Sequence, residues 1–464
     1  MDGKKTSILG LLFIYILGIM YFASNIPFGD TYLFGKYLFV FASYLIMFPI
    51  ILCVAVKMDV YIFEPFTMIV GLTFLTYSVG PMMSVILGDI SLNGFDVFYG
   101  CIEATMIYMI SLIVFMLVYY SKSKYTDSMG IETEYYVDND ADIQKIVFIS
   151  YILLFIGMAV NIYDMLLKGF SLDYVLSLGM QGNRDMEIEA ESIGGLSSFG
   201  SMIFIPLLYL DKYERKKWLP FILRIICIVV ALTRGTRFPL IVLVLSPIVM
   251  YFIERKKSPK GSTVLLIAVL DVLLVGGVQM LRTSTRMGTG IEGAAWEQFN
   301  GLYIYGAFQG NFDMYKTLYA AINYFPSKEM FTFGQQMILC TLIWMIPRSI
   351  WHGKPVSYAM DVIKGRWMGE GAVRGAFACG QLTEYYFEFG IIGCIVFMGL
   401  FARLCQYLKV KYVNPENTHD YVMYAIMFPT LMQLVIRGAT QMNVWSVVFM
   451  LLPMFAAKFV TKIR

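Results

Sequence analysis

Apolar runs of eighteen or more residues recur from Ser7 to Val460, and that recurrence decides the fold class. A helical run of that length matches the hydrocarbon thickness of a bilayer. Inside a bilayer every backbone N–H and C=O needs an intramolecular partner, which leaves only helices or closed barrels. The runs lack the alternation of barrel strands. The chain therefore reads as all-α and polytopic, a single membrane domain over residues 1–464. A composition of 58% hydrophobic and 15% charged residues excludes a soluble globule.

About 12 spans are expected, near 7–24, 37–56, 66–87, 101–120, 146–166, 196–211, 219–233, 238–253, 262–281, 381–402, 421–436 and 443–460. The first shows no small-residue cleavage site and reads as a retained helix. Spans between 196 and 253 are short, as suits helices that end in a cavity or a thinned region. Lysine and arginine set the orientation. With the N-terminus in the cytoplasm, inner segments carry 20 of these residues and the short outer segments six. Nine more fall in one long outer loop, 282–380, and both termini are then cytoplasmic. Arg224 and Asp271 are the mid-span charges.

Against that bias, arginines gather at outer span ends. Leu232–Leu245, LTRGTRFPLIVLVL, places Arg234 and Arg237 in a turn between two apolar runs, and Arg282, Arg286, Arg348 and Arg437 join them on that side. An arginine at the bilayer centre costs roughly 2.5–3.5 kcal/mol on insertion scales. Such residues either snorkel to outer headgroups or face an anionic partner. Guanidinium matches phosphate bidentately and stays charged, so a membrane-surface diphosphate fits the set.

The long loop carries an aromatic stripe at helical spacing, Ala294–Phe325, expected to lie on the membrane face or to plug a cavity. Phe333–Pro347 is apolar but short for a span, and a re-entrant path suits it. Ile346–Trp367 mixes Pro and Gly into a loop and holds His352, one of two histidines in the chain. Glu384 and Glu388 follow, one helical turn apart at the start of the next span. They either complement the helix macrodipole or stand at a cavity rim, where a carboxylate can orient a sugar hydroxyl. Asp313, Asp361 and Glu370 are further loop acids. Metal-ligand spacing, a phosphate-binding glycine loop and a dinucleotide fingerprint are absent, and no basic face suits nucleic acid. Cys340 and Cys379 flank the loop without a spacing that demands a disulfide.

Taken in order, TRGTRF (Thr233–Phe238), LRTSTRMG (Leu281–Gly288), IPRSIWHGKP (Ile346–Pro355), EYYFEFGIIG (Glu384–Gly393) and IRGATQM (Ile436–Met442) resemble the Wzy-type oligosaccharide repeat-unit polymerases of O-antigen and enterobacterial common antigen synthesis. Where many relatives read Asn-Phe-Gly, this chain has Glu388-Phe389-Gly390. The resemblance implies a fold similar to GT-C-like, lipid-dependent glycosyltransferases and O-antigen ligases. It implies an active site at the outer face of the cytoplasmic (inner) membrane, facing the periplasm, in lipopolysaccharide biosynthesis. There the growing glycan leaves undecaprenyl diphosphate for the non-reducing end of another lipid-linked repeat unit. No cofactor, nucleotide sugar or metal is implied. The implied partners are membrane lipids and a chain-length-regulating co-polymerase. Arg234, Arg237, Arg282, Arg286, Arg348 and Arg437 then suit the leaving diphosphate, and Glu384 and His352 the acceptor hydroxyl. A glycan ligase, which uses a loop histidine, and a non-enzymatic flippase, which predicts internal repeats and mid-span charges, are the alternatives.

Overall fold

A computed structural model describes residues 2–92, 95–121, 140–167, 199–233, 237–255, 259, 313–346, 350–355, 379–413, 418–438 and 440–461. In chain order the helices are α1 (Asp2–Ser24), α2 (Thr31–Lys57), α3 (Pro65–Phe74), α4 (Gly80–Ile86), α5 (Cys101–Tyr119), α6 (Asp140–Leu167) and α7 (Phe204–Tyr213). They continue with α8 (Trp218–Thr233), α9 (Arg237–Glu254), α10 (Met314–Tyr324), α11 (Cys340–Ile343), α12 (Gln381–Val413), α13 (Thr418–Arg437) and α14 (Thr440–Thr461). A two-stranded hairpin, Ser91–Leu92 with Phe95–Asp96, is the one departure from helix-only structure among the described residues.

Six segments among the described residues are long and apolar enough to cross a membrane: Thr31–Lys57, Pro65–Ile86, Phe98–Tyr119, Asp140–Tyr163, Gln381–Lys411 and Asn443–Thr461. Leu9–Ser24, Trp218–Ala231 and Phe238–Glu254 are shorter apolar helices. The expected span 262–281 falls outside the described residues, as do Asp271 and residues 196–198 at the start of the expected span 196–211; the other expected spans fall on described helices, two of which are broken as set out below. The chain is thus a polytopic helical membrane protein. Its centre is built on α12 packed along α5, with α13 against α9, α12 and α3. Around that centre, α1, α6, α8 and α14 present Phe13, Phe155, Phe221 and Phe459 outward, the apolar surface a bilayer covers.

Two helices break where sequence chemistry requires it. Pro81 lacks an N–H for the helical ladder, and a π turn at Leu75–Val79 absorbs the mismatch. The bend places Gly80 against the Tyr315 ring, 3.2 Å from where a Cβ would stand. In α12 the helix is interrupted at Phe389 (φ −143°, ψ 21°) and Gly390 (φ 63°, ψ −149°), so the expected unbroken span 381–402 is two helical pieces. Gly390 is needed there, because that combination of φ and ψ is essentially open only to glycine and the Phe331 ring lies 2.9 Å from a Cβ position.

Ion pairs and hydrogen bonds sort the helix ends into two faces. On one, Lys409 Nζ meets Glu64 Oε1 at 2.5 Å, Lys212 Nζ meets Glu254 Oε1 at 2.9 Å, and Tyr151 donates to Glu214 at 2.7 Å. We call this the basic face, since Lys57, Lys216, Lys217, Arg255 and Lys411 lie on it too. On the other, the site face, Lys316 Nζ meets Asp89 Oδ2 at 2.7 Å and Asn323 Nδ2 donates to Val97 O at 3.4 Å.

Arg224, on α8, reaches toward the basic face, pairs with Asp211 of α7 and donates to Leu243 O at 2.5 Å. Removing one partner of such a pair strands the other charge. Arg224→Leu is expected to destabilise the fold by about 3–5 kcal/mol, and adding Asp211→Leu to recover much of that loss. Thermal unfolding in detergent checks both.

Candidate active site

On the site face the starts of α10, α12 and α14 converge on the turn between α13 and α14. Glu384 lies in the first turn of α12 and is 3% exposed. Its carboxylate accepts from Thr440 N (3.2 Å to Oε1, 3.3 Å to Oε2) and from Thr440 Oγ1 (2.6 Å). Thr440 is the first residue of α14, so the carboxylate also sits at the positive end of that helix. The turn is closed by Gly438, whose φ of +63° and N–H to Leu434 O (2.9 Å) end α13 in the left-handed way. A Cβ at Gly438 would stand 3.0 Å from Glu384 Cδ and 3.0 Å from Gly380 O, and Asn443 Nδ2 donates to Gly438 O at 2.6 Å. Arg437, immediately before this packed turn, is exposed.

The other acid of the pair has a different task. Glu388 is fully buried and accepts from Thr332 Oγ1 (2.7 Å), Gly334 N (2.5 Å) and Met337 N (2.6 Å). Its own carbonyl accepts from Phe333 N at 3.0 Å. Phe333 (φ 48°) and Gly334 (φ 87°) are both left-handed, and a π turn at Gln335–Leu339 leads into α11. That helical piece, Gln335–Leu339 with Cys340–Ile343, is too short to span.

The described part of the aromatic stripe, α10, buries Tyr315 and Tyr319 against α5 and α12. It fills a cavity, the second of the two expected placements, and does not lie on the membrane face. Thr317 Oγ1 ties it to α12 through Cys379 O (2.5 Å) and Thr383 Oγ1 (3.1 Å). Lys316 is 2% exposed between Asp89 (2.7 Å) and Asp313 (3.6 Å). Burial pushes the Asp313 carboxyl up to about 6, while Lys316 pulls it back. A raised folded pKa favours folding at low pH and penalises it as pH rises from the unfolded value, near 4, through 6. Asp313→Asn should therefore raise the unfolding temperature relative to wild type at pH 7–8 and leave it unchanged near pH 4, measured in detergent.

Of the expected site residues, Glu384 and Arg437 come to one turn-and-helix junction. His352 lies in the exposed turn Trp351–Lys354, which Lys354 Nζ fastens to Trp344 O (2.7 Å) and Ile346 O (3.1 Å). Arg237 opens α9, but its side chain lies outside the described residues, as do Arg234, Arg282, Arg286, Arg348, Asp361 and Glu370 altogether. Cys340 and Cys379 are free thiols. Thr440, Gly438 and Thr332 were not singled out by sequence, although the Ile436–Met442 motif contains the first two.

A family model for the O-antigen polysaccharide polymerase Wzy matches residues 8–463. No curated protein and no solved structure matches. With nearly its whole length covered, and with polytopic helices that carry a polar junction at one face, the chain belongs to the Wzy family of O-antigen polysaccharide polymerases.

Proposed function

We propose that this polymerase takes undecaprenyl-diphosphate-linked oligosaccharides as both donor and acceptor, at the periplasmic face of the inner membrane. Its termini and basic face are cytoplasmic. The whole chain acts as one membrane domain of about 12 spans in a GT-C-like arrangement, with 282–380 as its outer loop. The growing glycan moves to the non-reducing end of a new lipid-linked unit. In that step the acceptor hydroxyl oxygen bonds to the donor's anomeric carbon, the glycosidic C–O bond breaks, and undecaprenyl diphosphate departs with the electron pair. The hydroxyl proton passes to a base.

The observation that carries this reading is the exposed Arg437 beside the buried Glu384–Thr440 clasp. A guanidinium there would stabilise the charge gathering on the departing diphosphate without a metal or nucleotide. Arg234, Arg237, Arg282, Arg286 and Arg348 are assigned to the same diphosphate. Glu384 orients the acceptor rather than abstracting its proton, since its oxygens already hold Thr440. His352, in its exposed turn, is the proposed base. A separate co-polymerase sets chain length.

Deleting the gene in its host and resolving the surface glycan on a gel tests the reading. Loss of the ladder with one repeat unit still attached is expected. Loss of every repeat points instead to a ligase, and accumulation of lipid-linked units on the inner leaflet to a flippase.

A further inference from the structure

Breaking a glycosyl–diphosphate bond creates two opposite charges. Negative charge gathers on the departing diphosphate, and positive charge gathers on the anomeric carbon and ring oxygen of the sugar. Arginine answers the first. The second calls for a carboxylate whose oxygens are not already spent.

The acids of the site face differ in what their oxygens hold. Asp96 accepts from Phe98 N, Glu384 from Thr440, and Glu388 from Thr332, Gly334 and Met337. Asp89 Oδ2 holds the ammonium of Lys316 at 2.7 Å. Asp313 is different. It stands at the N-cap of α10, where an aspartate ordinarily accepts from N–H groups of the first turn, yet it makes no such bond. Its Oδ1 is buried without a hydrogen-bond partner among the described residues, and its Oδ2 lies 3.6 Å from Lys316 Nζ, beyond ordinary hydrogen-bond distance. With its carboxyl at about 6, Asp313 is ionised at neutral pH, so one lysine between two aspartates leaves a negative charge in excess. The side chain is 25% exposed, which lets a substrate reach it.

Asp313 is joined to the Glu384 junction through one peptide, that of Gly380. Gly380 O accepts from Glu384 N at 3.2 Å. A Cβ at Gly438 would stand 3.0 Å from Gly380 O, and a Cβ at Gly380 would stand 3.1 Å from Met314 Cβ. Arg437 directly precedes Gly438, and Asp313 directly precedes Met314. Consecutive Cα atoms are only about 3.8 Å apart. A cation and an anion thus each stand one residue from a contact with the same peptide. In a glycosyl diphosphate the leaving phosphorus and the anomeric carbon are likewise neighbours, joined through a single oxygen.

We infer that Asp313 is a catalytic carboxylate of this site, facing the donor sugar and stabilising the positive charge at its anomeric carbon while Arg437 stabilises the diphosphate. The inference rests on the reaction proposed above. Asp313 forms no bond and takes no proton in that step: the electron pair of the broken C–O bond goes to the diphosphate, and the acceptor's proton goes to the base.

Asp313→Asn keeps the shape and removes the charge. Expressed in the deletion strain at matched protein levels, it is expected to lower polymer output by at least about 10²-fold. The purified variant in detergent should unfold at pH 7–8 at a temperature no lower than wild type. Asp89→Asn, which removes the closer partner of Lys316, is the control and should leave most of the output. A wild-type ladder from Asp313→Asn would overturn the inference. So would a loss of polymer that comes with a lowered unfolding temperature, or an equal loss from Asp89→Asn, because Asp313 would then act by holding α10 in place. The two proposals fail separately: a ladder that survives gene deletion refutes the polymerase reading, whereas a ladder lost on deletion and restored by Asp313→Asn refutes the role of Asp313 alone.

Discussion

Replacing Glu388 by alanine is expected to cost about 3–5 kcal/mol of unfolding free energy and to abolish polymer. Three donors lose their acceptor at once, among them the backbone N–H groups of Gly334 and Met337. Each buried donor left without a partner costs about 1–3 kcal/mol. The Phe389 ring of α12 still meets the Phe333 ring at 5.9 Å, but no hydrogen bond from an α12 side chain then holds the left-handed pair Phe333–Gly334. Glu388→Gln keeps one acceptor oxygen but turns an amide donor toward a donor, and should fall between wild type and alanine. Thermal unfolding in detergent, read beside the polymer ladder, checks the order. An alanine variant as stable as wild type would show that the segment is held by other means.

The second large effect is expected at Arg437. Arg437→Ala should lower polymer output by ~10²–10³-fold, the usual loss when one preorganised donor to developing charge is removed. Arg437→Lys retains charge but loses the planar fork, and should recover only part of the activity. Thr440→Val serves as the structural control. It removes the 2.6 Å bond to Glu384 while leaving the backbone N–H of residue 440 on the carboxylate, so its effect should be far smaller. Polymer length on gels at matched protein levels reads all three. Unaltered ladders from Arg437→Ala would remove this residue from the diphosphate site.

The membrane helices were legible because bilayer thickness imposes a length and a composition on them, and runs such as Thr31–Lys57 satisfy both. Glu384 was legible as a first-turn acid for the same local reason. What stayed hidden depends on partners far apart in the chain. Periodicity shows that Glu388 shares a face with Glu384, but not that it closes on residues 332–337, 51 to 56 positions away. The break at Phe389–Gly390 was hidden too, because glycine within an apolar run is compatible with an unbroken span; only the Phe331 ring pressed on that backbone requires the bend. The aromatic stripe left two placements open for a related reason. Tyr315 and Tyr319 at helical spacing identify an apolar face, while the choice between lipid and protein as its cover was made by α5 and α12.

The way α10 is seated bears on how specificity in such an enzyme can be exchanged. At Gly100 a Cβ would stand 2.5 Å from Tyr319 O, and Thr317 is fastened to Cys379 O, two residues before α12, and to Thr383 within it. The segment that carries α10 is therefore not a cassette. A chimera that grafts another polymerase's loop onto these helices must bring the matching ends of α5 and α12 with it, or it will inherit a wedge that does not fit its socket.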